Sequence, residues 1–334
     1  MTKKYIIFSC LICVLYKFKA LTAYSQQDAQ FSQYIYNQLF FNPAFAGVQG
    51  NMQTSFFYRN QWLGYNPTFD PAGGNPVTQT FSLHTALKRL KSGVGLHIVN
   101  DKLGALSNFE IQLSLSHHIK VKTDAKISIG VRTGLYSKTI DFNALRAVDE
   151  NDPLILGGKE AQMVPDMAVG IYYQSPTLFG GFMTNHLLPT EFDFGTNATG
   201  TPVVLQPLSL ASYLVAGYNY ALSPTWQITP STILKTNLNN WATFSFETSV
   251  LATYSQKFWG GLSYRHQDAV ILIIGTDIPN GKHTIRIGYS FDYVVFGKTA
   301  KQRTSHELSV TYLIPVKDPI PPAIIRTPRF RHTY

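Results

Sequence analysis

The sequence predicts an all-β protein, a transmembrane antiparallel outer-membrane β-barrel of about fourteen strands with a short N-terminal helical plug segment. Three observations predict it. Most of the chain alternates apolar and polar residues with period two. Thr284 to Tyr293 shows this clearly: Ile285, Ile287, Tyr289, Phe291 and Tyr293 share one face, and Thr284, Arg286, Gly288, Ser290 and Asp292 share the other. The connections between strand candidates alternate long and short. The N-terminus has secretory character, and no cysteine follows it.

Residues 1–25 read as a signal peptide. Lys3 and Lys4 form its basic start, and Tyr5 to Tyr16 its apolar stretch. Ala23 and Ser25 are the small residues that place cleavage before Gln26. The apolar run is too short to serve as an uncleaved spanning anchor. Cys10 and Cys13 both lie inside it. The mature chain therefore has no disulfide framework, thiol nucleophile or thiolate metal ligand. Lys3, Lys4, Lys17 and Lys19 carry four of the nine excess positive charges, which leaves +5 on the mature chain. That modest charge, with no basic cluster that demands it, points away from nucleic acid.

Residues 26–50 do not alternate. Phe31, Tyr34, Ile35 and Leu39 fall near helical spacing, and Asn42-Pro43 stops the run. A short amphipathic helix is expected, then a turn ending at Gly47 and Gly50. Gln30-Phe31-Ser32-Gln33-Tyr34 and Asn42-Pro43-Ala44-Phe45-Ala46-Gly47 are too rich in special residues for a neutral leader. Asn-Pro makes a turn, and Gly47 permits tight backbone geometry. Their aromatics need burial. With a polar lumen, the periplasmic mouth is the expected place, where the helix plugs or braces the barrel.

The barrel itself is expected over residues 51–314. Strand candidates lie near 51–63, 76–87, 93–100, 107–119, 125–137, 166–174, 178–187, 208–220, 224–236, 241–254, 257–266, 268–275, 283–295 and 304–314. Most exceed the usual five or six residues of a soluble sheet and suit a tilted membrane strand of about 9–11 residues. Ile127, Ile129, Val131 and Leu135 form one apolar face; Phe109, Ile111, Leu113 and Leu115 form another. The opposite faces carry Glu110, Arg132, Glu247, Arg286, Asp292 and Glu307. An outer-membrane barrel turns these inward, to the lumen.

A soluble sandwich alternates too, so the connections must decide. Those after strands one, three, five and seven run 64–75, 101–106, 138–165 and 188–207. Those after two, four, six and eight run 88–92, 120–124, 175–177 and 221–223. Short turns on one side and long loops on the other are the habit of outer-membrane barrels. The rhythm fades afterwards, with 237–240, 255–256 and 267 all short and 276–282 longer. An even strand number leaves both termini in the periplasm. Residues 315–334 form a Pro/Arg-rich tail with five prolines, expected to be extended and periplasmic.

No enzyme motif stands out, and no catalytic residue, cofactor site or metal site is assigned. His117 and His118 are strand neighbours facing opposite sides. His84, His97, His266 and His306 are scattered. Gly157-Gly158-Lys159 lacks P-loop spacing. Asp149, Glu150 and Asp152 are better read as solvated loop charge than as a Ca²⁺ site, and Asn197-Ala198-Thr199 is a formal sequon of little weight.

Gln30–Tyr34 together with Asn42–Gly47 resembles the N-terminal signature of the PorP/SprF family of type IX secretion membrane proteins. Arg59-Asn60-Gln61-Trp62 is similar to that family's next motif. Asn100-Asp101 with Gly104, and the closing His306-Glu307-Leu308 strand, also fit. The resemblance spans essentially the mature chain, without a counterpart for the tail after Ile314. It implies a non-enzymatic outer-membrane barrel of the secretion and gliding machinery, surrounded by outer-membrane lipids. It implies partners too: a secreted or surface-attached cargo such as an adhesin, engaged through its C-terminal domain, and periplasmic secretion or motor components. Phe31, Ser32, Gln33, Tyr34, Asn42, Pro43, Gly47, Arg59 and Trp62 are the structural and partner-binding signature on this reading. Loops 138–165 and 188–207 would meet the cargo. The alternatives are a porin-like channel for small solutes, with the inward charges lining a water path, and a soluble exported β protein.

Overall fold

A computed structural model describes residues 28–65, 74–144, 158–196, 202–237, 240–297 and 301–317. The signal peptide, its cleavage site, the acidic loop cluster, the sequon and tail residues 318–334 lie outside the described residues. Among the described residues no helix is long and apolar enough to cross a membrane, so any crossing is made by strands.

The strands are β1 (Asn51–Asn60), β2 (Val77–Leu87), β3 (Ser92–Leu103), β4 (Leu106–Lys122), β5 (Ala125–Asp141), β6 (Lys159–Gln174), β7 (Leu178–Asn185), β8 (Glu191–Thr196) and β9 (Pro202–Pro207). Then come β10 (Ala211–Tyr218), β11 (Tyr220–Ala221), β12 (Trp226–Asn237), β13 (Asn240–Tyr254), β14 (Phe258–Arg265), β15 (Ala269–Asn280), β16 (His283–Val294) and β17 (Thr304–Pro315). Each barrel strand pairs antiparallel with its neighbours. The ring closes where β1 meets β17, from Asn51↔Pro315 to Asn60↔His306. The fragment β11 prolongs β10 along β12, and β8–β9 form a separate hairpin. The result is a closed barrel of 14 strands, so no edge is left with unpaired backbone groups.

The period-two pattern becomes an outside and an inside. Leu113, Leu115 and Leu262 are 59%, 58% and 60% exposed, while Ser114 between the first two is 1% exposed. Ile129, Val131, Leu272, Ile274, Leu308 and Val310 extend the same outward belt. In the open solvent of a soluble fold this belt would be an unmatched apolar surface; around a membrane barrel it meets lipid.

Both ends of the barrel proper, Asn51 and Pro315, lie at one end of the cylinder, with the short turns at 88–91, 123–124, 175–177, 222–225, 255–257 and 281–282. The long connections lie at the other end. At that other end the connections 104–105, 238–239 and 266–268 are as short as the turns. The rhythm therefore fades there as the sequence suggested, and the connection expected over 101–106 shrinks as well. The longer connection expected over 276–282 is absent. β15 runs through Pro279 to Asn280, which pairs with His283 across a turn of Gly281 and Lys282. Several boundaries also move. The first strand stops at Asn60 rather than residue 63. β5 and β6 extend to Asp141 and back to Lys159, which shortens the expected loop 138–165. The expected loop 188–207 holds the β8–β9 hairpin, whose buried Phe192 and Phe194 pack on Tyr136, Phe142 and Leu208.

The largest departure concerns residues 28–48. No amphipathic helix forms over Phe31–Leu39. The segment is a series of turns, a one-turn helix α1 (Gln38–Phe41) and a 3₁₀ turn at Pro43–Phe45. It is not confined to the mouth but runs inside the lumen. The lumen is correspondingly not wholly polar. Phe57, Val99, Tyr172, Met183, Tyr213, Val215 and Ile233 point inward and pack on Phe31, Phe40, Phe41 and Phe45. Phe31 meets Phe40, Phe41 and Phe57 edge-to-face at 5.0, 6.4 and 6.0 Å. Burying each such ring stabilises the fold by about 1.5–3 kcal/mol. That burial outweighs weak helical spacing in a segment with few helix-favouring charges.

Candidate functional site

The lumenal segment is fixed to the wall at four places. The first is Ser32. Its Oγ donates to Asp292 and accepts from Arg59 Nη1 at 2.5 Å and Arg265 Nη2 at 2.9 Å. Its backbone N–H and that of Gln33 donate to the two oxygens of Glu307, at 2.7 and 3.0 Å. Gln33 Nε2 reaches the Glu307 carbonyl at 3.2 Å, and Ser309 Oγ donates to Gln33 Oε1 at 2.7 Å. Around this point Arg59 pairs with Asp292 and Glu307 at 2.7 and 3.1 Å. Arg265 pairs with Glu247, Asp292 and Asp268 at 2.7, 3.2 and 3.2 Å. Arg59, Arg265, Asp292, Glu307 and Glu247 are all buried. Such charges stay inside only because each is paired and hydrogen-bonded. β1, β13, β14, β16 and β17 are thus tied to one serine.

The second place is Asp28. Its carboxylate accepts from Tyr213 Oη at 2.5 Å and from His186 Nε2 at 2.7 Å, while His186 Nδ1 reaches Asp166 at 3.0 Å. Burial opposes the Asp28 charge, but His186 beside it and the Tyr213 hydroxyl hold the carboxyl well below the usual range. Burial likewise opposes the His186 charge, and the two carboxylates prevail, raising it to about 10. His186 lies just past β7 with φ 57°, an unusual backbone state for a non-glycine residue. Arg132 completes this wall, donating to the Phe40 carbonyl at 2.8 Å and to Asn185 Oδ1 at 3.0 Å. Glu110 is buried on the same side, 3.8 Å from His97.

The third place is the Asn42–Gly47 turn. Asn42 Nδ2 donates to the carbonyls of Ile171 and Phe182, at 2.9 and 3.3 Å, while its Oδ1 caps Ala44 N at 2.9 Å. Pro43 follows as the first residue of the 3₁₀ turn, where its missing N–H costs nothing. Gly47 has φ +66°, and a Cβ there would lie 2.8 Å from Ala86 Cα. The wall is hollowed to match. Gly130 faces Pro43 and Ala44, and Gly170 faces the Asn42 side chain, each too close for any Cβ. The fourth place is Tyr34 and Tyr36. Tyr34 Oη meets Ser231 Oγ at 2.8 Å. Tyr36 lies 4.3 Å from the Trp259 ring and 4.6 Å from the Arg286 guanidinium, itself paired with Asp277 at 2.6 Å.

Of the signature residues, Phe31, Ser32, Gln33, Tyr34, Asn42, Pro43, Gly47 and Arg59 therefore meet in one buried structure. Trp62 stands apart. It lies beyond β1 at the long-loop end, its backbone N–H donating to Ser305 Oγ at 3.0 Å and Lys301 over its ring at 5.6 Å. Asp28, Asp166, His186 and Arg265 escaped sequence reasoning. Asp166 and Arg265 fall on inward parity within their strands, which is a usable signal; Asp28 and His186 lie in irregular backbone with none.

Below the segment, at the short-turn end, an open cavity of about 680 Å³ remains, lined by Gln38, Gln53, Trp259, Asp277, Arg286 and other side chains. Chemically, the arrangement fills and rigidifies a lumen. Among the described residues no group of three His, Cys, Asp or Glu side chains is set to hold a metal ion.

A family model described as "Type IX secretion system membrane protein PorP/SprF" matches residues 23–312. No curated protein sequence matches significantly. Among solved structures, the chain is similar to the CymD monoaromatic hydrocarbon channel, with 11% identity, a TM-score of 0.52, and coverage of 84% of this chain and 93% of that one. The Pseudomonas putida toluene transporter TodX matches with 11% identity, a TM-score of 0.48, and coverage of 89% and 95%. A Pseudomonas aeruginosa FadL homologue matches with 13% identity, a TM-score of 0.45, and coverage of 82% and 92%. At these identities the likeness concerns the fold alone.

Proposed function

This chain belongs to the PorP/SprF family of type IX secretion system membrane proteins, and on that premise we propose that it is a closed outer-membrane barrel that supports secretion or surface attachment of cargo without conducting solutes or catalysing a reaction. The observation that carries the reading is the lumenal segment. Residues 28–48 fill the barrel and are bonded to most of its wall, and Phe31, Phe41, Ala44 and Ala46 are almost wholly buried. A pore for solutes needs an open path, and here the path holds a hydrophobic core. The short-turn end, with Asn51 and Pro315, would face the periplasm and its machinery. The long-loop end, with Trp62 and the β8–β9 hairpin, would face outward to cargo such as an adhesin, engaged through its C-terminal domain.

Two measurements test this. In planar bilayers the purified wild type should show no large steady conductance, and deletion of residues 26–50 should create one. A steady wild-type current would favour the small-solute channel instead. In cells, loss of the protein should leave C-terminal-domain-bearing cargo unsecreted or unattached, and re-expression should restore it. Unchanged cargo in the null strain would remove the secretion role.

A further inference from the structure

Among the described residues, cations gather around two turns at the short-turn end. Lys88, Arg89 and Lys91 lie in the turn between β2 and β3, and Lys120, Lys122 and Lys126 lie around the turn between β4 and β5. Among the described residues of these two turns Asp124 is the only acid. Lys88 is anchored to the Val316 carbonyl and Lys126 to the Val48 carbonyl. Both Lys88 and Lys120 are close enough to Lys126 to repel its charge. Arg89, Lys91, Lys120 and Lys122 are exposed and form no ion pair among the described residues. At the opposite end, by contrast, Arg265 and Lys301 converge on Asp268.

The spacing of these cations selects the kind of partner. Lys88-Arg89-Leu90-Lys91 and Ile119-Lys120-Val121-Lys122 both place an aliphatic side chain between basic ones. Leu90, Ile119 and Val121 are 67%, 46% and 51% exposed, and they continue the outward apolar belt down to the rim. A bulge between Lys120 and Lys122 sets Lys120 opposite Lys126 and Lys122 opposite Ala125, so the two lysines leave the hairpin on different faces. An acidic soluble protein pairs with the cations but would have to bring a matching apolar surface of its own to the aliphatics. A bilayer boundary satisfies both groups: aliphatics enter the hydrocarbon edge, and the long stems carry their charges to the phosphates.

We infer that the β2–β3 and β4–β5 turns form a binding site for anionic phospholipid headgroups, whose phosphates bridge neighbouring cations of the cluster. The inference rests on the barrel spanning a bilayer and stands apart from any cargo role.

The test is native mass spectrometry of the full mature protein, purified with equal amounts of phosphatidylglycerol and phosphatidylethanolamine. Wild type should retain phosphatidylglycerol preferentially. The R89Q/K91Q/K120Q/K122Q variant should lose that preference, since each cation at an anionic surface is worth about fivefold in affinity. A K102Q/K159Q control at the long-loop end should keep it. Folding of each variant is checked by its heat-dependent gel shift. Equal lipid ratios in wild type and the folded quadruple variant would overturn the site. So would wild type that shows no lipid preference yet binds polyglutamate in zwitterionic vesicles, which would point to an acidic protein partner.

Discussion

Ser32 Oγ lies 2.7 Å from a carboxylate oxygen of Asp292, although 260 residues separate the two in the chain. The same oxygen of Ser32 accepts from Arg59 and Arg265. One hydroxyl therefore joins two guanidiniums to a carboxylate they share. Ser32→Ala should destabilise the folded barrel by about 1–3 kcal/mol, the usual cost of leaving buried polar groups without a partner. Urea unfolding in detergent micelles measures it. A midpoint matching wild type would mean that the arginines are satisfied without Ser32.

Arg59 and Glu307 face each other across the seam where the first strand meets the last. Arg59→Met leaves Asp292 and Glu307 short of a positive partner in a buried setting. A loss of about 3–5 kcal/mol is expected, the range for breaking one side of a buried ion pair. The R59M/E307L double variant should recover part of that loss, because it removes a charge from each side. The recovery will be incomplete, since Glu307 also accepts from the amides of Ser32 and Gln33. Refolding yield and unfolding midpoints of the three proteins read the coupling.

The barrel was legible because its physics is repetitive. Each strand states inside and outside at every second residue, and Glu110, Arg132, Glu247, Arg286, Asp292 and Glu307 all occur on inward parity. The path of residues 28–48 was not legible. A segment that spends its aromatics on a curved wall has no period of its own, and Phe31, Tyr34 and Leu39 imitate helical spacing by chance. Its partners are also distant: Asn42 binds carbonyls of Ile171 and Phe182, and carbonyls leave no trace in a sequence. The β8–β9 hairpin went unseen because Phe192 and Phe194 are two short alternations in a stretch otherwise typical of a loop.

The glycines of the wall make a separate prediction. Gly130 and Gly170 lie against Pro43, Ala44 and the Asn42 side chain with no space for a Cβ. Gly130→Val should push the Asn42–Gly47 turn off β5 while leaving the outward belt intact. The expected result is a folded barrel whose lumenal segment is cut by added protease, with fluctuating conductance in bilayers. Gly64→Ala, at a glycine with no atom near its missing Cβ but with φ +80°, should change backbone strain alone and keep the segment protected.

Asp28 and His186 should give the segment a pH window. The folded pKa of His186 is raised from 6.5 to about 10. Its contribution is therefore complete below about pH 6.5 and is lost as pH rises through about 10. Asp28 is shifted the other way, far below its ordinary 3.8, so its contribution is present above that value and is lost in stronger acid. The doubly bonded imidazolium, with Asp28 on one nitrogen and Asp166 on the other, is thus intact at neutral pH. Wild type should lose stability between about pH 6.5 and about pH 10, the interval between the unfolded and folded pKa of His186. His186→Gln should be less stable at pH 7 but lose less over that interval, because it has no proton to give up. Asp28→Asn should behave similarly, having lowered the histidine pKa by removing its nearer carboxylate. Unfolding midpoints at both pH values decide the matter: an equal alkaline loss in wild type and His186→Gln would assign the loss to other groups.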